Sequence, residues 1–128
     1  MCGIAGWLGP ETATDVVTRV GDTLVHRGPD DGGSWGDAQA GIVLLHRRLA
    51  ILDLSPAGHQ PMASANDRYV IAFNGEIYNH LDLRRELETS GAAPSWRGHS
   101  DTETLLAALA AWGIEAALKR CVGMFAFA

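Results

Sequence analysis

Apolar residues bunch into short runs along the chain, and the longest unbroken ones predict strands. Tyr69-Val70-Ile71-Ala72-Phe73 runs directly into the polar triplet Asn74-Gly75-Glu76, the pattern of a buried strand with polar groups at its end. An Asn-Gly pair is a strong hairpin signal, yet Ile77-Tyr78-Asn79-His80 leads into a helical pattern and not a returning strand. Ile4, Trp7 and Leu8 among Gly3, Gly6 and Gly9 predict a short buried strand. Gly41-Ile42-Val43-Leu44-Leu45 predicts another, and Leu49, Ile51, Leu52 and Leu54 predict a further one over Arg48 to Leu54.

Helical spacing takes over elsewhere. Val16, Val17, Val20 and Leu24 share one face, opposite Asp15, Arg19 and Asp22, which predicts a helix from Thr14 to Leu24. A second helix has Leu83 and Leu87 as its buried face, Asn79 or Asp82 as its cap and Gly91 as its stop. Ser100 followed by Glu103 is a capping-box pattern, predicting a helix through Leu105, Leu106, Leu109 and Trp112 to Gly113. Asp101 then falls in its first turn, where the helix dipole favours an ionised carboxylate. Ile114 to Arg120 reads as a further short helix, and Gly123 to Ala128 as the start of a strand. No turn, polar tail or cap follows that strand, so a fragment with its remaining strands downstream is expected. His26 to Gly33 and Ser55 to Met62 are loops by their Gly, Pro and Asp content.

The 128 residues have room for one domain. Charged residues are 20 % of the chain and the formal net charge is −5, against a nucleic-acid footprint or an anionic membrane partner. The longest apolar run, Leu105 to Ile114, is too short to span a bilayer, and no basic-then-apolar leader precedes Cys2. A cytoplasmic protein is expected. Cys2 and Cys121 lack the spacing of a zinc site or a disulfide framework, and His26, His46, His59, His80 and His99 are scattered, so no metal site is expected.

Four stretches carry candidate chemistry. A small residue behind the initiator methionine permits its removal, which would make Cys2 the N-terminus, with thiol nucleophile and free α-amine on one residue. The two groups titrate within about a unit of each other in model peptides, so a neutral amine can accept the thiol proton. The alternative is an ordinary frayed end. His26-Arg27-Gly28-Pro29-Asp30-Asp31 is either a plain turn or a polar network fixing a loop beside a site. Among His46, Arg47 and Arg48 an arginine either caps a sheet end or grips a substrate carboxylate through its planar fork. Asp101 either stabilises its helix alone or serves a ligand.

Taken together, these stretches resemble the class II, N-terminal-nucleophile glutamine amidotransferase domain, most closely that of glutamine-hydrolysing asparagine synthetases. The resemblance covers nearly the whole chain. It rests on Cys2-Gly3-Ile4, His26-Arg27-Gly28-Pro29-Asp30, His46-Arg47-Arg48-Leu49 with Ile51 and Asp53, Ala57-Gly58-His59-Gln60-Pro61-Met62, Asn74-Gly75-Glu76-Ile77-Tyr78-Asn79-His80, Ser100-Asp101, and Gly123-Met124-Phe125-Ala126-Phe127-Ala128.

That resemblance implies an α+β, four-layer αββα N-terminal-nucleophile hydrolase fold, incomplete at its C-terminus, with residues 1–128 forming the amidotransferase domain. It implies that Cys2 attacks the side-chain amide of L-glutamine, that its α-amine acts as base and then acid, and that Asn74 and Gly75 form the oxyanion hole. Arg48 would hold the substrate α-carboxylate, Glu76 and Asp101 its α-ammonium group, and Leu49, Ala50, Ile51 and Leu52 would line the pocket. A full-length ligase of this kind adds a C-terminal synthetase domain in which ATP, with Mg, activates aspartate for amidation. No glycine- and serine-rich pyrophosphate loop stands in these residues, so no cofactor is expected here. The implied partners are glutamine and that synthetase domain, with a homodimer as the assembly open to the full-length enzyme. Amidation of another acceptor, a non-catalytic glutamine-binding module, and an N-terminal-nucleophile hydrolase acting on peptides or acyl amides are the competing readings.

Overall fold

The computed structural model describes residues 1–9 and 14–128. Strand β1 (Gly3–Leu8) pairs antiparallel with β3 (Ile42–Arg48), whose other edge takes β2 (Asp31–Asp37). Register sets Gly6 opposite Leu44, and a β-carbon on Gly6 would lie 2.7 Å from the Val43 carbonyl oxygen. Close approach of the two strands therefore requires a glycine there. Helix α1 (Thr14–Thr23) is tied to this sheet by Arg47, whose Nε donates to the Gly21 carbonyl at 3.0 Å while its Nη2 meets Asp22 at 3.0 Å.

The apolar core lies in the other half. A two-residue pairing of β4 (Met62–Ala63) with β5 (Val70–Ile71) leads into β6 (Phe73–Ile77), which pairs antiparallel with β7 (Gly123–Phe127). Three helices pack beside them: α2 (His80–Thr89), α3 (Asp101–Trp112) and α4 (Ile114–Leu118). Phe73, Ile77, Leu83, Leu87, Leu105 and Leu106 are buried together. Each contributes about 1.5–3 kcal/mol relative to an exposed position. Helix α3 is buried on all sides from Asp101 to Leu109, so it is the central element and its N-terminal charges are carried inside. His46 joins the halves, its Nε2 lying 2.9 Å from the Phe73 carbonyl oxygen.

The helices form where the apolar spacing predicts them, and Ser100 caps α3 by accepting the Glu103 N–H at 3.2 Å. Several expectations need correction. β1 exists, but its Leu8 is exposed, so the strand is only half-buried. Residues 31–37 form β2 although Gly32, Gly33 and Gly36 have little strand propensity, because the free edge of β3 offers a partner to each of them. β3 continues through the basic run to Arg48, and residues 49–54 leave the sheet. Their backbone donors go to side chains instead: Leu49 N–H to Cys2 Sγ at 3.3 Å and Ala50 N–H to Asp30 at 2.8 Å. Asn74-Gly75-Glu76 lies within β6, not beyond its end. Asn79 does not cap α2 with its side chain, which instead donates to the Arg120 carbonyl at 2.9 Å and accepts from Val122 N–H at 2.8 Å. The content is α+β, with the strands among the described residues hydrogen-bonded into three separate sheets.

Candidate active site

Cys2 stands just ahead of β1, where Arg27 Nε donates to its carbonyl at 3.1 Å. The same loop accepts Ala50 N–H on Asp30, and Asp30 N–H donates to the Arg48 carbonyl at 3.1 Å. The His26-to-Asp31 segment is thus the polar network that clasps the start of β1 to the end of β3. Between them the Cys2 thiol is held by Leu49, whose N–H donates to the sulfur at 3.3 Å and whose carbonyl accepts from it at 3.7 Å.

A cavity of ≈ 290 Å³ opens beside this thiol. It gathers Cys2, Arg48, Asn74, Gly75, Glu76 and Asp101 from four separate segments of the chain. Leu49, Ile51 and Leu52 also line it. Ala50 does not, its N–H being turned to Asp30.

Arg48 is only 8 % exposed, and its partners are neutral. Nη1 donates to the Ser55 carbonyl at 2.9 Å and Nη2 donates to the Asp53 carbonyl. Among the described residues no carboxylate lies in ion-pair contact with it. Asp53 and Asp31 feel its charge without pairing with it, so this buried cation lacks a direct counter-ion, which suits an anionic ligand group. Gly58 permits this placement, since a β-carbon there would collide with the guanidinium.

Across the cavity, Asp101 accepts Ile77 N–H on Oδ2 and its neighbour Thr102 N–H on Oδ1, both at 2.9 Å. Burial pushes its pKa up, only partly opposed by those N–H donors and by the charge of His80. Burial thus works against the ionised form that the helix N-terminus favours. An approaching ammonium group would favour the ionised form. Asn74 carries a buried amide oxygen with no hydrogen-bond partner among the described residues. That side chain is left uncommitted at the cavity wall. Gly75 beside it has φ 156°, and a β-carbon there would collide with the facing strand at Met124 and Phe125.

Two neighbouring acids are tuned the other way. Burial would raise Asp53, but hydrogen bonds from Ser55 and His99 N–H, with the Arg48 charge, lower its pKa to about 2. Burial likewise opposes the lowering of Asp31, whose Oδ2 lies 2.7 Å from His59 Nδ1. Burial lowers the pKa of His46, so it is neutral at pH 7. Cys121 is half-buried and its thiol is pushed up by burial, as befits an inert cysteine.

Sequence reasoning did not anticipate Gln60 and Thr102 on the cavity wall, nor the exposed Tyr78 and Met124. Gln60 donates to Thr102 Oγ1 at 3.2 Å and accepts Phe73 N–H at 2.7 Å, spanning the start of β6 and the start of α3. The Gly-His-Gln-Pro stretch marked the residue, but not this pairing.

A family model described as the glutamine amidotransferase domain matches residues 1–128. A putative glutamine-hydrolyzing asparagine synthetase of Mycobacterium tuberculosis is 42 % identical over 144 residues, covering 100 % of this chain and 22 % of that protein. Asparagine synthetase 3 of Bacillus subtilis is 40 % identical, covering 100 % of this chain and 21 % of its own length. Asparagine synthetase B of Escherichia coli is 43 % identical, with 100 % and 23 % covered. The chain spans about a fifth of the length of the curated relatives it matches.

Proposed function

The chain belongs to the glutamine amidotransferase domain family, and from that membership and its cavity we propose that it hydrolyses L-glutamine to glutamate and ammonia. The observation that carries this is the meeting of a thiol, an unmatched buried guanidinium and a buried carboxylate in one cavity. Glutamine presents the complements: an amide carbon for the thiol, an α-carboxylate for Arg48 and an α-ammonium group for Asp101 with Glu76.

In the proposed reaction the Cys2 α-amine takes the thiol proton and Cys2 Sγ adds to the side-chain carbonyl carbon. In this reading the resulting oxyanion is met by the side-chain N–H of Asn74 and the backbone N–H of Gly75, two residues that line the cavity with Cys2. Collapse breaks the C–N bond, ammonia leaves with a proton from the Cys2 amine, and water then cleaves the glutamyl thioester. While Met1 is attached, the Cys2 nitrogen is a peptide nitrogen and cannot act as a base, so removal of Met1 belongs to the proposal. A four-layer αββα stack, in which the sheets of β3 and β6 face each other, is the arrangement proposed for the complete domain. The His46 contact with Phe73 supports it.

The names of the relatives support aspartate as the eventual ammonia acceptor. That step, with its ATP and Mg, is proposed for a synthetase domain, and the whole for the cytoplasm. Incubation of the full chain with the glutamine-like electrophile 6-diazo-5-oxo-norleucine, followed by intact-mass and peptide mapping, tests the site. One adduct on Cys2 of a chain lacking Met1 is expected. Label on Cys121, or activity in protein retaining Met1, overturns the proposal.

A further inference from the structure

One residue of the cavity, Asp53, touches both Arg48 and the segment that leads into Asp101. Asp53 is 6 % exposed. Its backbone carbonyl accepts from Arg48 Nη2, and its Oδ1 accepts both the N–H of Ser55, at 2.8 Å, and the hydroxyl of Ser55, at 2.6 Å. The Ser55 carbonyl in turn accepts from Arg48 Nη1. Both donors of the guanidinium fork therefore rest on a turn that the Asp53 carboxylate closes. The other oxygen, Oδ2, accepts the N–H of His99 at 2.7 Å. His99 immediately precedes Ser100, the cap of α3, and Asp101 follows. Residue 98 is packed so tightly against Oδ2 that a β-carbon there would collide with it.

We propose that Asp53 is a positioning residue that sets the separation of Arg48 from Asp101, and so selects a substrate bearing carboxylate and ammonium groups on one carbon. The inference rests on the glutaminase reading above, with Arg48 and Asp101 as the two head-group anchors. One carboxylate, accepting three hydrogen bonds, ties the turn that carries the Arg48 contacts to the chain entering the helix of Asp101. A head group that touches both anchors gains from their fixed spacing. An amide with only one charged end does not. The pKa of about 2 keeps the clasp ionised throughout the working pH range.

Asp53→Asn tests it. An amide in place of the carboxylate retains one acceptor, for Ser55 or for His99, and presents a donor to the other. Steady-state glutaminase assays on the full chain yield KM and kcat for glutamine. Inhibition constants are taken for two truncated competitors: 5-amino-5-oxopentanoate, which lacks the amine, and 4-aminobutanamide, which lacks the carboxylate. The expected result is a KM for glutamine raised by about 10-fold with kcat within about 3-fold, while both inhibition constants stay within about 2-fold. An unchanged KM overturns the inference. So does an equal weakening of 5-amino-5-oxopentanoate, which would mean that Asp53 acts on Arg48 alone. If Asp53→Asn does not accumulate as folded protein, Asp53→Glu is measured in its place, with the same pattern expected and the same outcomes decisive. Arg48→Lys is assayed in parallel: no KM change there removes the underlying site assignment. A change in Arg48→Lys with none in the Asp53 variant removes only the role of Asp53.

Discussion

Glu103 and Arg48 are both charged side chains taken out of water, 4 % and 8 % exposed, yet the chain matches one and leaves the other unmatched. Glu103 Oε1 accepts Arg97 N–H at 2.8 Å and lies 3.5 Å from Arg97 Nε; its Oε2 accepts Gly98 N–H at 3.0 Å and lies 3.4 Å from Arg84 Nη2. The Arg84 guanidinium in turn stacks 3.9 Å over the Trp96 ring. Among the described residues Arg48 bonds to the carbonyls of Asp53 and Ser55, and the Asp53 and Asp31 carboxylates feel its charge without forming an ion pair with it. A cavity of ≈ 210 Å³ borders Arg97 and Glu103, but its charges are already neutralised by one another. Burial of a charge thus identifies nothing until its partners are counted. Where the protein supplies the counter-charge the group holds the fold together, and where it does not a ligand is the natural complement.

The largest test of that contrast is Glu103→Ala. Removing the anion leaves Arg84 and two backbone N–H groups without their acceptor, which should cost about 3–5 kcal/mol of stability. The glutamine KM of the surviving folded protein should stay within about 2-fold. Denaturant unfolding of the full chain and steady-state kinetics check both halves. A stable Glu103→Ala protein with a raised KM would erase the distinction between the two sites.

Arg48→Lys should act on the KM that Glu103→Ala leaves in place. A lysine supplies charge but not a bidentate fork, so one charge-assisted hydrogen bond to the substrate is lost, about 1.5–3 kcal/mol, or a KM raised by about 10–100-fold. Unfolding free energy should fall as well, by about 1.5–3 kcal/mol, because a lysine cannot reach both the Ser55 and the Asp53 carbonyls, but by less than in Glu103→Ala. An unchanged KM with that loss of stability would make Arg48 a structural arginine after all.

A subtler test uses the two cavity acids, whose stability contributions have opposite signs. The folded-state pKa of Asp53 is lowered to about 2 from 3.8, so the unfolded chain binds its proton first, and its stabilisation is lost as pH falls from 3.8 towards 2. The folded-state pKa of Asp101 is raised, so the folded chain binds its proton first. Its contribution is present below 3.8 and lost as pH rises through the folded value. Asp53→Asn should therefore flatten the acid limb of a plot of urea midpoint against pH, and Asp101→Asn should steepen it. Parallel limbs for the two variants would mean that their surroundings are not distinct.

Much of the site was legible because its residues sit in contiguous motifs. Cys2, Arg48 and Asp101 stood out by residue type and position, and Asn74, Gly75 and Glu76 as a polar triplet whose part in a site only the resemblance implied; the helices were legible because their apolar faces repeat within a few residues. β2 was not legible, since Gly32, Gly33 and Gly36 become a strand only when β3 lies alongside. Nor was the release of residues 49–54 from the sheet, which depends on Cys2 and Asp30 taking their N–H groups across 47 and 20 residues of chain.

By itself the sequence determined which side chains are available for chemistry, since residue type, cap and apolar period are local properties. Tertiary structure alone decided their electrical condition. The helix dipole acting on Asp101 is written in its own first turn, whereas the burial that raises its pKa, and the Ile77 N–H that opposes the rise from 24 residues away, exist only in the folded chain. Arg48 likewise becomes an unmatched cation, and Glu103 a matched anion, only once distant segments have closed around them. A charge's energy depends on everything within a few ångströms of it, and the chain brings those atoms from far apart.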